Sequence, residues 1–292
     1  MTLPTPAPPH KGEGLSLSSS VLGTSVGPHT QTIDARWLMA YAAGLGETDP
    51  RYFDTTTEAG PLAHPLFAVC YEWPLAVELR ETVIGAAIAS LSVHATHDLV
   101  IHRSVRAGDA LRISAKVVEV RPIKAGSLVV VKLDTVDERG APVTTTHYGS
   151  IYRGVSCDGG RAEGKAPALR HAGSVRWDER VEVGAGLAHV YTECAKIWNP
   201  IHTDVAVARA AGLPGLILHG TATLALAVSR VIHRDLDGDP ARVRGVTARF
   251  TGMVPLPSTV TIRGRDADPT EIHFDAVDGA GRPVLERGVI RR

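Results

Sequence analysis

One pattern of residues occurs twice in this chain, at positions 150 apart. The first copy has Tyr41, Asp49, Pro50, Tyr52 and Asp54, and the second has Tyr191, Asn199, Pro200, His202 and Asp204. Five matches at one offset indicate a duplicated domain. Only the second copy carries a histidine, so we infer that one half reacts and the other half shapes the substrate cavity.

Both copies predict the same order of elements. Apolar stretches at residues 69–79 and 220–232 are typical of helices, and strands are predicted at residues 110–120 and 259–265. Each half then ends in a long hairpin, with β-branched strands on either side of a Gly-containing turn. A central helix followed by antiparallel strands predicts an α+β fold, in which a sheet wraps around the helix.

Length and local composition set the predicted boundaries. A chain of 292 residues corresponds to about two domains. Residues 1–27 are rich in Pro, Ser, Thr and Gly, and we predict a disordered tail there. Residues 156–172 are rich in Gly, Ala and charge and are predicted to be a linker. The first repeat then covers residues 28–155 and the second covers residues 173–292.

Charge and composition argue against several functions. The 31 basic and 31 acidic residues balance, so the electrostatic footprint of a nucleic-acid-binding protein is missing. No apolar run reaches the roughly 18 residues of a membrane span, and the start of the chain lacks a signal-peptide pattern. Three cysteines without paired spacing fit free thiols in a reducing cytoplasm. His94, His97 and His102 lack the spacing of zinc ligands, and we expect no metal.

The second repeat carries a recognisable motif. Residues 191–202 read Y-T-E-C-A-K-I-W-N-P-I-H, and Leu218, His219 and Gly220 follow. This N-P-x-H followed by H-G resembles the MaoC-like (R)-specific enoyl-CoA hydratases, and among them those with two hot-dog domains in one chain. The resemblance covers about residues 31–292 and is specific in the second half. It implies a double hot-dog fold in which the strands of both repeats form one extended sheet.

The resemblance also implies an activity. Members of that family are hydratases or dehydratases, that is, hydro-lyases of fatty-acid metabolism that act on thioesters of coenzyme A or of a carrier protein. An aspartate and a histidine activate water, and the glycine after the second histidine donates its backbone N–H to the thioester oxygen. The corresponding residues here are His202 and Gly220. Coenzyme A belongs to the substrate, so no separate cofactor is implied.

The aspartate of the family motif is replaced by Ile197 in this chain. Glu193 lies four residues earlier, and in a helix through residue 197 it would lie one turn back on the same face. We therefore hypothesise that its carboxylate reaches towards His202. The alternative is a solvated glutamate that is favoured by the helix dipole. Further residues expected to contact the substrate or to hold the site are Ile197, Trp198, Asn199 and His219.

The first repeat departs further from the motif. Tyr52 and Cys70 stand where the second repeat has His202 and Gly220, which makes the first copy catalytically inactive. Glu47 occupies the position of the missing aspartate. Equivalent positions of two packed copies should lie in separate pockets, so we expect no contact between Glu47 and His202. The resemblance also implies that the inactive copy gives up part of its helix to admit a bulky acyl group.

Three functions remain open on sequence alone. The first is the hydratase or dehydratase. The second keeps the fold but uses His202 and Glu193 in a thioesterase or a double-bond isomerase. The third is a non-catalytic acyl-thioester binder or assembly partner, because the motif aspartate is absent. A homodimer is compatible with each of them, since symmetric dimers are the commonest oligomers.

Overall fold

The structure is a computed structural model that describes residues 14–161 and 173–292. The helices of the first repeat are α1 (Ala35–Gly44), α2 (Ala68–Leu79) and α3 (Ala86–Ala89), and its strands are β1 (Ser16–Leu17), β2 (Ser25–Thr32), β3 (Ser92–Ile101), β4 (Ala110–Ile123), β5 (Gly126–Val136), β6 (Pro142–Arg153), β7 (Ser156–Cys157) and β8 (Gly160–Arg161). The helices of the second repeat are α4 (Leu187–Ala195), α5 (Val205–Ala210) and α6 (Gly220–Asp235), and its strands are β9 (Trp177–Val183), β10 (Gly245–Phe250), β11 (Ser258–Ala267), β12 (Glu271–Asp278) and β13 (Pro283–Arg291). The predicted α+β class is confirmed.

A single 11-stranded sheet runs through both repeats. Its order is β2-β4-β5-β6-β3-β10-β13-β12-β11-β9, with β8 added beside β4. The two halves join where β3 pairs antiparallel with β10, and Leu99 lies opposite Val246 in this register. Hydrogen bonding therefore continues from one repeat into the next, so the halves have no sheet edge between them.

The helices lie against this sheet and bury their apolar side chains. Helix α6 is buried nearly all round between residues 222 and 232, as expected of a helix enclosed by a sheet. In α2 the buried side chains include Leu75 and Leu79. Both helices and the inner face of the sheet contribute to one hydrophobic cluster that spans the two repeats.

The repeated motif forms the same turn twice. Asp49 and Asn199 each accept a backbone N–H two residues ahead and begin a short 3-10 turn. Pro50 and Pro200 follow at the first position of these turns, where a missing N–H costs nothing. Asp204 caps α5 by accepting from the N–H groups of residues 206 and 207.

Helices α1 and α4 pack against each other at the centre of the molecule. A Cβ atom placed on Gly44 would lie 2.8 Å from the Cβ of Cys194, so only glycine permits this approach. Residues 44 and 194 also differ by 150 positions. The repeat in the sequence is therefore a local two-fold relation in space, and its axis passes between α1 and α4.

Three predictions about segments need correction. Of the predicted tail, residues 1–13 lie outside the described residues, but Leu17 is only 2% exposed and β1 pairs with β7. The start of the predicted linker forms β7 and β8, and residues 162–172 lie outside the described part. Helix α2 is not shortened at Pro74 and continues into a π-helical stretch at Arg80–Gly85. No helix within the described segments is long and apolar enough to cross a membrane.

Candidate active site

A cavity of about 690 Å³ lies between the two repeats and is lined by residues from both of them. Its lining from the second repeat includes Ile197, Asn199, His202, His219 and Gly220, which are five of the residues singled out from the sequence. His202 and Gly220 thus line one shared cavity. That shared space is the minimum requirement for the two groups to act on one substrate.

His202 ends the 3-10 turn Pro200–His202 and is 9% exposed. Its Nδ1 lies 2.9 Å from the carbonyl oxygen of Ile217. Because a carbonyl can only accept, Nδ1 carries the hydrogen and Nε2 is left with its lone pair. Burial lowers the pKa of His202 to about 4. The ring is therefore neutral near pH 7 and is able to accept a proton at Nε2.

His219 holds the ring of His202 in place from one side. The two rings stack with their centroids 3.7 Å apart, and Nε2 of His219 lies 3.2 Å from Oγ1 of Thr192. Burial, followed by the neighbouring His202, lowers the pKa of His219 to about 2. His219 is therefore a neutral packing partner, in keeping with its predicted role of ordering this turn.

Gly220 is the first residue of the 16-residue helix α6. Its N–H belongs to the first turn of the helix, where the backbone donors have no partner within the helix. No hydrogen bond from this N–H to another described residue is present. A Cβ atom at residue 220 would lie 3.2 Å from the ring of Phe250. Glycine thus leaves the N–H accessible at the positive end of a helix dipole.

Glu193 does not occupy the predicted position. It is exposed on α4, whose buried face is formed by Ala188, Tyr191, Thr192 and Ala195, and it does not line the cavity. The helix ends at Ala195, and Lys196 adopts a left-handed conformation with φ 57°. Helical spacing therefore cannot be extended from residue 193 to residue 197. Trp198 also lies outside the cavity lining and is 60% exposed.

The described lining of the cavity contains one carboxylic acid, Glu72 of helix α2 in the first repeat. Glu72 is 3% exposed, and its Oε1 accepts a 2.7 Å hydrogen bond from Oγ1 of Thr146. Burial raises the pKa of Glu72 to about 8, so the carboxyl group is mostly protonated near pH 7. Glu72 was not among the site residues predicted from the sequence, although an acidic residue within an apolar helix is an available signal.

The equivalents of the site in the first repeat are filled. Tyr52 is completely buried and Cys70 is 1% exposed, and neither lines the cavity. Glu47 bonds through Oε2 to Nε2 of His233 at 2.8 Å, away from His202 as expected. Among residues 14–161 and 173–292, no three His, Cys, Asp or Glu side chains come together as a metal site.

Comparison with protein families identifies both halves. Residues 172–284 match the MaoC like domain, and residues 20–146 match the FAS1-like, dehydratase domain region. Each match therefore covers one repeat, and together they cover most of the chain.

Two curated relatives show different kinds of similarity. A fatty acid synthase beta subunit from Emericella nidulans is 44% identical over 71 residues, which is 24% of this chain and only 4% of that subunit. The 3-hydroxyacyl-thioester dehydratase Y of Mycobacterium tuberculosis is 27% identical over 288 residues, covering 91% of this chain and 96% of that protein. The first similarity is local, and the second extends through both repeats.

Solved structures share the architecture. A MaoC-like dehydratase from Phytophthora capsici superposes with a TM-score of 0.78 at 23% identity, covering 92% of this chain and 95% of the other. A Mycobacterium tuberculosis protein described as a double hot-dog superposes with a TM-score of 0.58 at 16% identity, covering 92% and 95% of the two chains. This chain is therefore a double hot-dog protein with a MaoC-like domain in its C-terminal half and a FAS1-like dehydratase region in its N-terminal half.

Proposed function

We propose that this protein is a hydro-lyase that adds water to, or removes water from, an acyl thioester of coenzyme A or of a carrier protein. The observation that carries this proposal is the shared cavity of His202 and Gly220. A relative that aligns along most of the chain is named a 3-hydroxyacyl-thioester dehydratase, which supports this reaction. Coenzyme A enters as part of the substrate rather than as a cofactor.

In the direction of hydration, Nε2 of His202 takes a proton from water while the water oxygen bonds to Cβ of the unsaturated thioester. The electron pair of the double bond moves towards the thioester, whose oxygen becomes an enolate oxygen. The N–H of Gly220 donates a hydrogen bond to that oxygen as it gains charge. Such a donor is worth about 3 kcal/mol at the transition state. Protonation of Cα then restores the thioester carbonyl.

The missing aspartate requires another proton donor for Cα. Protonated His202 is a stronger acid than an ordinary imidazolium, because burial lowers its pKa to about 4. We propose that the proton taken from water returns from His202 to Cα on the same face of the substrate. A single imidazole then performs both transfers, as general base and then as general acid. Dehydration follows the same steps in reverse.

One assay tests the proposal. The protein is incubated with crotonyl-CoA and longer enoyl-CoAs, and the loss of absorbance of the conjugated thioester is followed. Formation of the 3-hydroxyacyl product supports the proposal. Release of free thiol would instead show a thioesterase, and migration of the double bond would show an isomerase. Binding without turnover of any enoyl thioester would show a non-catalytic binder. The homodimer and the cytoplasmic location stay predictions.

A further inference from the structure

We propose that the first repeat provides a subsite, formed by His97 and Glu72, for a hydroxyl or a similar oxygen-bearing group on the acyl part of the substrate. This inference rests on the proposed function and specifies its substrate class. The substrate would be a polar acyl thioester rather than one with a plain hydrocarbon chain.

His97 is the main observation. It lies in β3, lines the cavity and is 1% exposed. Neither of its ring nitrogens has a hydrogen-bond partner among the described residues. Burial lowers the pKa of His97 to about 4, so the ring is neutral and offers one donor and one acceptor. Buried polar groups are rarely left unpaired, and a ligand would supply the missing partner.

A bulge places His97 on the cavity side together with His94. The register between β3 and β6 shifts between His94 and Thr96, and such a shift changes the face towards which the following side chains point. The two imidazoles approach to 5.5 Å between centroids, and both line the cavity. His94 uses its Nε2 on the carbonyl of Thr96, whereas His97 keeps both nitrogens unpaired.

Glu72 adds a second polar group to the same cavity. Because Oγ1 of Thr146 donates to its Oε1, the position of the carboxyl group is fixed. Burial holds the carboxyl group mostly in its protonated form. A protonated carboxyl can both donate and accept. In the β3–β6 register Thr146 lies opposite Leu99, two residues beyond His97, so Glu72 and His97 lie in the same part of the cavity. A hydroxyl group matches these two side chains, because it too carries one hydrogen to donate and lone pairs to accept.

The subsite lies near the reacting groups. The ring of Phe250 packs against Gly220, and its centroid is 4.3 Å from that of His94. The path from the thioester oxygen to His97 therefore passes the rings of Phe250 and His94. A group bound at His97 would therefore lie on the acyl chain beyond the thioester, and the position of the hydroxyl that binds best would measure how far.

A site of this kind discriminates strongly. A pocket built to hydrogen-bond a hydroxyl rejects the analogue that lacks it, because the polar groups of the protein are then left buried and unpaired. An alkyl chain beside His97 and Glu72 would impose that cost. A hydroxylated chain of equal length would avoid it.

The test uses pairs of saturated acyl-CoAs in which any hydroxyl lies at C4 or further along the chain, so that neither member can undergo the proposed removal of water. The members of each pair have the same length, and one carries a hydroxyl whose position is moved along the chain from pair to pair. Binding to the full-length protein is measured by titration calorimetry. We expect one position at which the hydroxyl tightens binding at least about tenfold, as for one net hydrogen bond. His97→Phe should abolish that gain, and His102→Phe, at an exposed histidine outside the cavity lining, should keep it.

If both members of every pair bind equally, the subsite proposal is overturned. Water would then be the hydrogen-bond partner of the His97 ring. Glu72→Gln, which keeps the shape of the side chain, provides a second variant if His97→Phe does not fold. It should reduce the factor by which the hydroxyl tightens binding. The two proposals fail differently. If the hydroxyl tightens binding but the matching enoyl-CoA is not turned over, the subsite proposal stands and the hydro-lyase proposal is rejected. Failure of every acyl-CoA to bind would reject both.

Discussion

The hydroxyl groups of Tyr41 and Tyr191 lie 3.5 Å apart, and these residues occupy the same position in the two repeats. Both side chains are completely buried, so the local two-fold axis passes through the core. The hydroxyl of Tyr191 also donates to Oγ1 of Thr221 at 3.1 Å. Thr221 follows Gly220, so the contact between the repeats lies next to the first turn of α6 and helps to fix the proposed oxyanion donor.

The N–H of Gly220 can be removed with little change to the backbone. His219 has φ −56° and ψ 137°, a conformation that suits the residue before a proline, and the first position of a helix accepts proline. We expect Gly220→Pro to lower kcat about 10²–10³-fold relative to Gly220→Ala. The alanine variant is the matched control, since it adds a Cβ beside Phe250 but keeps the N–H. Equal kcat values in the two variants would exclude the N–H as a donor.

His202→Gln tests the proposed acid–base group. Loss of the imidazole should lower kcat about 10²–10⁴-fold with little change in the Kd of a saturated acyl-CoA. Steady-state kinetics and calorimetry measure these two quantities. His189→Gln is the control, since His189 is exposed and bonds only to the carbonyl of Thr203. A His202 variant with the turnover of the control would remove this residue from the mechanism.

Glu193→Gln should retain wild-type turnover. The carboxylate is exposed and lies outside the cavity lining, so removal of its charge leaves the site unchanged. Rates of hydration at saturating substrate measure this, with His202→Gln as the inactive reference. A loss of more than about tenfold, equal to 1.4 kcal/mol of barrier, would restore Glu193 as a catalytic candidate.

Stability should have a maximum near pH 6.5. Burial lowers the pKa values of four histidines to about 4 or about 2, and these are His64, His97, His202 and His219. Below an unfolded pKa of about 6.5, the unfolded state binds more protons than the folded state. Stability therefore falls as the pH drops from 6.5 towards 4, by up to about 1.4 kcal/mol per pH unit for each histidine.

Glu72 has the opposite effect, because burial raises its pKa to about 8. The stability that Glu72 contributes is lost as the pH rises from about 4.5 to 8. Below pH 6.5 the four histidines outweigh this single carboxyl group. Urea unfolding between pH 5 and 8 measures the net result. A free energy of unfolding that stays flat from pH 7 to 5 would contradict the lowered pKa values of these histidines. In the His97→Phe variant, the free energy of unfolding should fall less steeply as the pH drops below 6.5.

Asp98 stabilises the junction between the repeats. Its Oδ1 accepts from Oγ1 of Thr247 at 2.5 Å and from Nη2 of Arg291 at 2.9 Å. Asp98→Ala leaves this arginine without its carboxylate, and we expect a loss of about 2 kcal/mol. Thermal or urea unfolding measures it. The control is Asp134→Ala, at a half-exposed ion pair, which should cost less than about 1 kcal/mol. Equal losses of stability in the two variants would show that Asp98 does not stabilise the junction more than a surface ion pair does.

The repeat and its motif allowed much of the fold to be predicted. The predicted strand at residues 110–120 is β4, and the hairpins fall on β5–β6 and β12–β13 within a few residues. These segments are β-branched and end at Gly-containing turns, so their local preference agrees with the fold. The α+β class followed from the same elements, and the double hot-dog architecture followed from the resemblance to the MaoC-like hydratases.

The error at Glu193 arose at a single backbone conformation. Lys196 has φ 57°, a region that favours glycine. The lysine ammonium lies 3.9 Å from the centroid of the Trp37 ring, a contact that helps to offset the strain. This conformation ends the helix at residue 195, so the spacing of a continuous helix does not extend from Glu193 to Ile197.

The groups supplied by the first repeat could not be predicted in the same way. His97 lines the cavity after a bulge in β3, and Glu72 lines the same cavity from α2 of the first repeat. Neither relation is encoded by local spacing. The sequence did show His94 and His97 as neighbours, but it offered only metal binding as an interpretation.

The pairing of β3 with β10 has a consequence for how such a protein can change. Two identical subunits would receive every substitution twice, so widening one acyl pocket would also alter the other. In this chain the two copies are separate stretches of one gene and mutate independently. Continuous hydrogen bonding across the junction preserves the dimer-like geometry, while either half is free to take on a different chemical task.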